Sequence, residues 1–273
     1  MGDLFNTLFI HPILNVLVAI YQLLSFIGIP SSLGFAIIFL TILIRLILYP
    51  VIAAQMRTSK RMQQLAPHLS KVKEKHKGNA QMIQKETMKL YQEHGVNPAA
   101  GCVPLLIQLP VIWALYAVLQ NIVKYTNVNQ INEALYFDFL KLQTLWDTHL
   151  FGLPLFQSPS QLFDSLGIFV FLVPLITGIL QYYQTKVLMP PPAPAVVEKK
   201  KKDKDGKSES SAEDFAAAFQ KQSLYIFPLM IAFFSYTLPI GLSLYWNTFS
   251  IFGIIQQQIM ERSSKDEASI KKK

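Results

Sequence analysis

The sequence predicts an all-α integral membrane protein: five transmembrane helices, a cytoplasmic helical hairpin and an N-terminal interfacial helix. Three observations carry that reading. Of 273 residues, 51% are hydrophobic and only 15% are charged, against about 25% charged in soluble domains. The apolar residues gather into runs that suit a hydrocarbon core of about 30 Å. The basic residues gather between those runs, and their distribution sets an orientation.

Between Gln55 and Ala100 stand nine Lys/Arg and three acids, and between Lys124 and Leu166 two basic and four acidic residues. Residues 186–223 carry eight basic and six acidic, and the tail from Gln256 five and three. By the positive-inside rule the first, third and fourth of these face the cytoplasm and the second faces outside. The net charge of +8 is therefore read as topology, not as a nucleic-acid surface.

The elements follow in order. Residues 1–31 make an amphipathic interfacial helix. Its apolar stretch Ile13–Ile29 has a stripe of His11, Asn15, Gln22 and Ser25, which fall within roughly 80° of one another at 100° per residue. Such a helix lies in the membrane interface with its stripe to water; a first span is the rival reading. A turn at Gly28–Ser32, with a Ser N-cap, leads into the first span, 32–54, whose inner end Pro50 kinks or loosens.

Residues 55–100 are too polar to span. Met62, Leu65, Leu69 and Val72 recur at spacings of 3, 4 and 3, a heptad-like seam. The break at Lys77-Gly78-Asn79 turns this segment into a cytoplasmic helical hairpin, with Pro67 marking a kink or a helix start in the first arm. The second span, 101–123, runs outward with Pro104, Gln108 and Pro110. Residues 124–166 form an extracytoplasmic loop with an interfacial segment around Ala134–Leu145. The third span is 167–188.

Residues 189–223, Pro-rich and then Lys-rich, read as a disordered cytoplasmic linker. Leu224–Ile255 is a continuous apolar region of 32 residues. One helix of that length would reach roughly 48 Å, too long for the core. Pro239-Ile240-Gly241 at its midpoint divides it into a fourth span, 224–239, and a fifth, 240–260. Each is short, and short spans thin the lipid beside them. Residues 261–273 make a basic cytoplasmic tail, where Lys271–Lys273 suit a positive-inside end or anionic lipid.

Arg45 is the anomaly. It lies within LGFAIIFLTILIRLILYPVIAA, Leu33–Ala54. A charge at the centre of a spanning helix costs about 2.5–3.5 kcal/mol on insertion scales. No other predicted span holds an Asp or Glu to pair with it. That favours a guanidinium facing water that reaches into the membrane. Snorkelling toward Ala54 over about 13 Å of rise and pairing with another protein are the alternatives. Gln108 reads either as groove lining or as a helix–helix hydrogen bond. Tyr245 and Trp246 lie too deep for an aromatic belt, which leaves packing or groove lining. The Gln256-Gln-Gln run reads as a solvated helix end.

Other chemistry is thinly represented. Cys102 is the single cysteine and reads as a small buried residue. The five histidines lack metal-ligand spacing and no phosphate-binding loop occurs, so no metal or cofactor is expected. The start lacks a basic n-region and a small-residue cleavage site, so no removed signal peptide is expected.

Several motifs together resemble the YidC/Oxa/Alb membrane protein insertases, in their short bacterial YidC-type form. They are Thr41-Ile-Leu-Ile-Arg45-Leu-Ile-Leu-Tyr-Pro50; Lys89-Leu-Tyr91; Asn97-Pro98-Ala-Ala-Gly101-Cys102-Val-Pro104; Gln108-Leu-Pro110; and Leu238-Pro-Ile-Gly241-Leu-Ser-Leu-Tyr245-Trp246. No single motif is decisive, but the ordered set, over about Leu8–Met260, is specific. The chain departs from the longer enterobacterial type in lacking an extra N-terminal span and a large periplasmic domain. Its Lys-rich linker is longer than a minimal member needs.

The resemblance implies five helices around a hydrophilic groove, open to the cytoplasm and to lipid and closed toward the outside. It implies an insertase and chaperone, not an enzyme. Nascent membrane proteins are its partners within the lipid bilayer of the cell membrane, with the ribosome and the Sec translocon as further partners and no small-molecule substrate. The N-terminus is expected outside and the C-terminus in the cytoplasm. Arg45 would attract acidic residues of an incoming segment, with Gln181 and Trp246 as further groove positions. Two other classes remain open from the residues alone: an anion transporter or channel, which should show inverted repeats or acidic relays, and an accessory subunit of a translocase.

Overall fold

The computed structural model describes residues 2–76, 79–96, 103–124, 127–188 and 212–270. Helical turns from Gly2 to Ile10, π-helical over Asn6–Ile10, lead into α1, His11–Phe26, with Pro12 in its first turn. The connection to the next helix turns on Gly28 (φ +80°) and Ser31 (φ +56°). Ser31 holds the N-cap position without capping. Its hydroxyl accepts instead from the Phe151 N–H at 3.2 Å, so the predicted cap is a tie to a distant loop.

α2 is Ser32–Ile47 and α3 is Tyr49–Lys75. The stretch 32–54 is thus two helices bent by 62°, the break falling at Leu48. Pro50 sits in the first turn of α3; lacking an N–H, it cannot continue the ladder of α2. α3 then runs on through Pro67 as one α-helix, so that proline does not start a new one. Leu65 and Leu69 of the predicted seam are buried. α4, Ala80–Glu93, starts at Asn79, whose side chain accepts from the Met82 N–H at 3.0 Å. α3 and α4 pack together, with the His68 and His94 rings 6.3 Å apart.

α5, Val103–Lys124, buries Ala114, Leu115, Val118, Leu119 and Ile122 along one side. The motif Asn97–Cys102, and with it Cys102, lies outside the described residues. The segment 127–166 is not a simple interfacial helix. It holds a short helix at Val128–Asn132, a 3-10 turn at Asp138–Leu140, and a two-stranded hairpin, β1 His149–Leu150 with β2 Leu153–Pro154. Positive φ at Phe151 and Gly152 makes its tight turn.

α6 is Leu172–Leu188, α7 Ala212–Thr237 and α8 Ile240–Ile270. The turn at Leu238-Pro239 falls where the sequence places it. The start of α8 is held by the loop: the Ile240 and Gly241 N–H groups donate to Gln157 and Leu155 carbonyls at 2.9 and 2.7 Å. Residues 212–223, predicted as disordered linker, belong to α7, and the tail is helical to Ile270. Linker residues 189–211 and Lys271–Lys273 lie outside the described residues.

The main apolar core lies where the loop packs, built from Leu14, Leu17, Leu33, Ile37, Leu119 and Leu155, among others. This is the loop end of the molecule; the α3–α4 pair marks the hairpin end. α6, α7 and α8 are joined by the Ser235 hydroxyl, which donates to Thr177 at 3.1 Å and lies 2.8 Å from that of Ser243. Interhelical hydroxyl bonds of this kind hold bundles together in lipid, where burial alone gives helices no reason to associate.

By length and composition, Asn6–Phe26 and Pro159–Val187 each suffice to cross a membrane, and the bent pair Ser32–Ile47 with Tyr49–Met62 makes a third. Gln108–Ile122 and Leu224–Thr237 are apolar but shorter. Two residues of the stripe on α1, predicted to face water, bond the loop instead, while Ser25 is exposed. Asn15 donates to the Ala134 carbonyl at 3.0 Å and accepts from the Tyr136 N–H at 2.7 Å, and Gln22 donates to the Leu140 carbonyl at 2.8 Å. Asn15 and Gln22 thus satisfy loop backbone, which would otherwise be buried unpaired.

Candidate functional site

α2 aims Arg45 inward because its apolar face does. Leu33, Ala36, Ile37, Leu40 and Thr41 are buried, and Arg45, four residues beyond Thr41, continues that row. The residue stands in the last turn of α2, where helix carbonyls favour a cation. It therefore stands at the bend between α2 and α3, not within one straight helix over 32–54.

The guanidinium is only 2% exposed. Nη1 donates to Gln256 Oε1 at 3.1 Å and Nη2 to the Phe249 carbonyl at 2.6 Å. Cζ lies 3.5 Å from the centre of the Phe249 ring, a cation–π contact. Among the described residues no carboxylate pairs with it. Two hydrogen bonds to a charged group contribute about 1.5–3 kcal/mol each, and the cation–π contact about 0.5–2 kcal/mol. That is enough to offset an insertion cost of about 2.5–3.5 kcal/mol. The charge is tolerated without an ion pair, yet its hydrogen bonding is incomplete: Arg45 Nε and Gln256 Nε2 have no partner among the described residues.

α8 presents Phe249, Gly253 and Gln256 at spacings of 4 and 3, one face of a helix. Gly253 makes the contact sterically feasible. A Cβ there would lie 2.5 Å from Arg45 Nη2 and 2.9 Å from Gln184 Nε2. α6 supplies the facing polar row, Thr177, Gln181, Gln184 and Thr185, all buried. Gln184 Oε1 accepts from the Ser250 hydroxyl at 2.8 Å.

Of the predicted groove residues, Gln108, Tyr245 and Arg45 form a chain. Gln108 donates to the Tyr245 hydroxyl. The Tyr245 ring lies 6.0 Å from that of Phe249, which stacks on Arg45. Gln181 donates to the Thr185 hydroxyl at 3.3 Å, one turn from Gln184. Trp246, like Tyr245, is packed in the apolar core. Gln256, predicted as part of a solvated helix end, is instead buried against Arg45.

Sequence reasoning missed Gln184, Phe249, Gly253 and Gln256. Signals were present for two of them. Gln184 extends the Thr177–Gln181 row at helical spacing, and Gln256 lies on the Tyr245 face of α8. Nothing in the sequence marks Gly253 or Phe249. Among the described residues no group of three or more His, Cys, Asp or Glu converges. What the cluster offers is a cation in a neutral polar lining, able to take an anionic group.

Comparison with known proteins bears on this arrangement. The model of a family described as the 60Kd inner membrane protein matches residues 13–267. The membrane protein insertase YidC of Fusobacterium nucleatum is 31% identical over 227 residues, covering 83% of this chain and 85% of that protein. The chloroplast inner membrane protein ALBINO3 of Arabidopsis thaliana is 30% identical over 256 residues, covering 88% of this chain and 48% of that one. A crystal structure of an active YidC insertase with its first transmembrane domain resolved superposes with a TM-score of 0.51 at 26% identity, over 89% of this chain and 44% of that chain. The chain thus spans most of the bacterial relative and under half of the other two.

Proposed function

The chain belongs to the 60Kd inner membrane protein family, and from that premise we propose that it is a membrane protein insertase and chaperone working through Arg45. One observation carries the reading: a guanidinium enclosed by three helices, held by neutral acceptors and with no carboxylate among the described residues. An incoming segment with an acidic outer tail supplies the missing charge. The arriving apolar helix then leaves for lipid, driven by burial of its surface. No covalent bond is made or broken, so the protein is not an enzyme.

The bundle crosses the membrane five times in this reading, through α2, α5, α6, α7 and α8, with the loop end outside. The N-terminus is extracytoplasmic and the C-terminus cytoplasmic. α1 lies in the outer interface. In support, Asn6, His11 and Leu14 share a cleft with Val118 and Asn121 near the loop end of α5, while the other end of α1 leads within six residues to the start of α2. Both ends of α1 therefore stand at one end of the bundle. The basic hairpin α3–α4 meets the ribosome and incoming chains from the cytoplasm, and the protein acts alone or beside the Sec translocon.

The test is insertion by the full chain in proteoliposomes of two single-span clients that differ only by Asp or Asn in the outer tail. A carboxylate about 4 Å from a guanidinium gains about 4 kcal/mol at an effective dielectric of about 20. With each 1.4 kcal/mol worth tenfold, Arg45→Gln should lower the Asp-to-Asn insertion ratio at least about tenfold. An unchanged ratio would rule out the charge mechanism.

A further inference from the structure

Arg45 meets two acceptor oxygens, the number a single carboxylate would offer it. One oxygen faces Nη1, another faces Nη2, and a carboxylate offers a guanidinium two oxygens side by side. Here both oxygens come from α8, one from the Gln256 amide and one from the main chain of Phe249. We propose that α8 occupies the position of the client's carboxylate, so that Gln256 and the open Phe249 carbonyl set the threshold an acidic segment must exceed to engage Arg45. This rests on the reading that Arg45 receives acidic clients.

Three features of the seat support it. The first is access to the Phe249 carbonyl, which already accepts within its own helix from four residues on. The residue at that position is Gly253, and a side chain there would collide with Nη2 at 2.5 Å. Glycine lets a foreign donor approach backbone closely.

The second is weakness. Both acceptors are neutral, and a carboxylate in their place adds the attraction of a full negative charge for the guanidinium, which an amide or main-chain oxygen lacks. Exchanging an amide oxygen for a carboxylate is therefore favourable, whereas exchanging it for a client's neutral amide gains nothing. A seat that strong acceptors can vacate and weak ones cannot is a discriminator. The third is incompleteness. Arg45 Nε and Gln256 Nε2 are buried without partners among the described residues, so the seat holds the cation less firmly than a finished structural site would.

The two-client assay decides it, using the full chain in proteoliposomes. Gln256→Met removes one competing oxygen at similar volume, and should raise the Asp-to-Asn insertion ratio about tenfold, the scale of one hydrogen bond to a charged group. Gln256→Glu keeps the shape but ties Arg45 to an internal carboxylate, and should drop the ratio to that of Arg45→Gln. Opposite shifts support the proposal. Shifts in the same direction, or no shift from either variant while Arg45→Gln lowers the ratio, overturn it and leave the insertase reading standing. An Arg45→Gln ratio equal to wild type removes both. If Gln256→Met does not accumulate, Gln256→Glu decides alone: a ratio at or above wild type overturns the proposal.

Discussion

Two helices of this protein each bury a polar side chain that their apolar surroundings penalise, and they treat it in opposite ways. Asn15 on α1 donates to the His11 and Ala134 carbonyls and accepts from the Tyr136 N–H. Both donors and the acceptor of its amide are used. Arg45 on α2 has five donors and, among the described residues, uses two, on acceptors that carry no charge. A completed set of bonds locks one geometry and resists change. An incomplete set on a full charge leaves capacity for something that arrives later. On the proposed function, the loop end serves as a seal and the Arg45 site as a receptor.

The largest expected effect breaks that comparison directly. Asn15→Leu leaves the Ala134 carbonyl and the Tyr136 N–H without their side-chain partner, at a cost of about 2–4 kcal/mol. The thermal midpoint of the purified protein should fall, and insertion of acidic and neutral clients should fall together. Arg45→Gln should do the reverse, leaving the midpoint at or above wild type, because removing a buried charge also removes its desolvation cost. A midpoint that collapses in Arg45→Gln and holds in Asn15→Leu would invert the assignment of seal and receptor.

A smaller effect sharpens the seal. A Cβ on Gly241 would stand 3.2 Å from the Leu155 carbonyl and 3.3 Å from Leu119, where the loop caps the start of α8. Gly241→Ala should cost about 1–2 kcal/mol by overpacking. The cost should appear as a lower midpoint, with the Asp-to-Asn insertion ratio unchanged.

The smallest effect lies on the same loop. Lys141, 2.6 Å away, holds the exposed Asp138 carboxyl below the usual aspartate range. A depressed value contributes stability above the ordinary aspartate range and loses it as the pH falls through the lowered one. Exposed pairs contribute little and salt screens them. Asp138→Asn should therefore leave the midpoint unmoved at neutral pH, and melts of both proteins in salt should coincide.

Much of the fold was legible because its causes are local. Apolar runs locate helices, and Pro239 and Gly241 place a turn. What failed depended on neighbours. The polar stripe on α1 reads as water-facing because no local rule reveals that a loop over a hundred residues away carries matching backbone groups. The bend at Leu48 puts Arg45 at a helix end, although Pro50 hinted at a break. Gln256 reads as a solvated end because its partner lies 211 positions away.

By itself the chain determined that a lone cation sits among apolar residues with no predicted intramembrane acid, since composition and hydropathy are properties of order alone. Only the tertiary structure decided what surrounds that cation. Gly253, Phe249 and Gln256 gain meaning through the approach of α8 to α2, and long-range packing, not local pattern, determines which helix faces which.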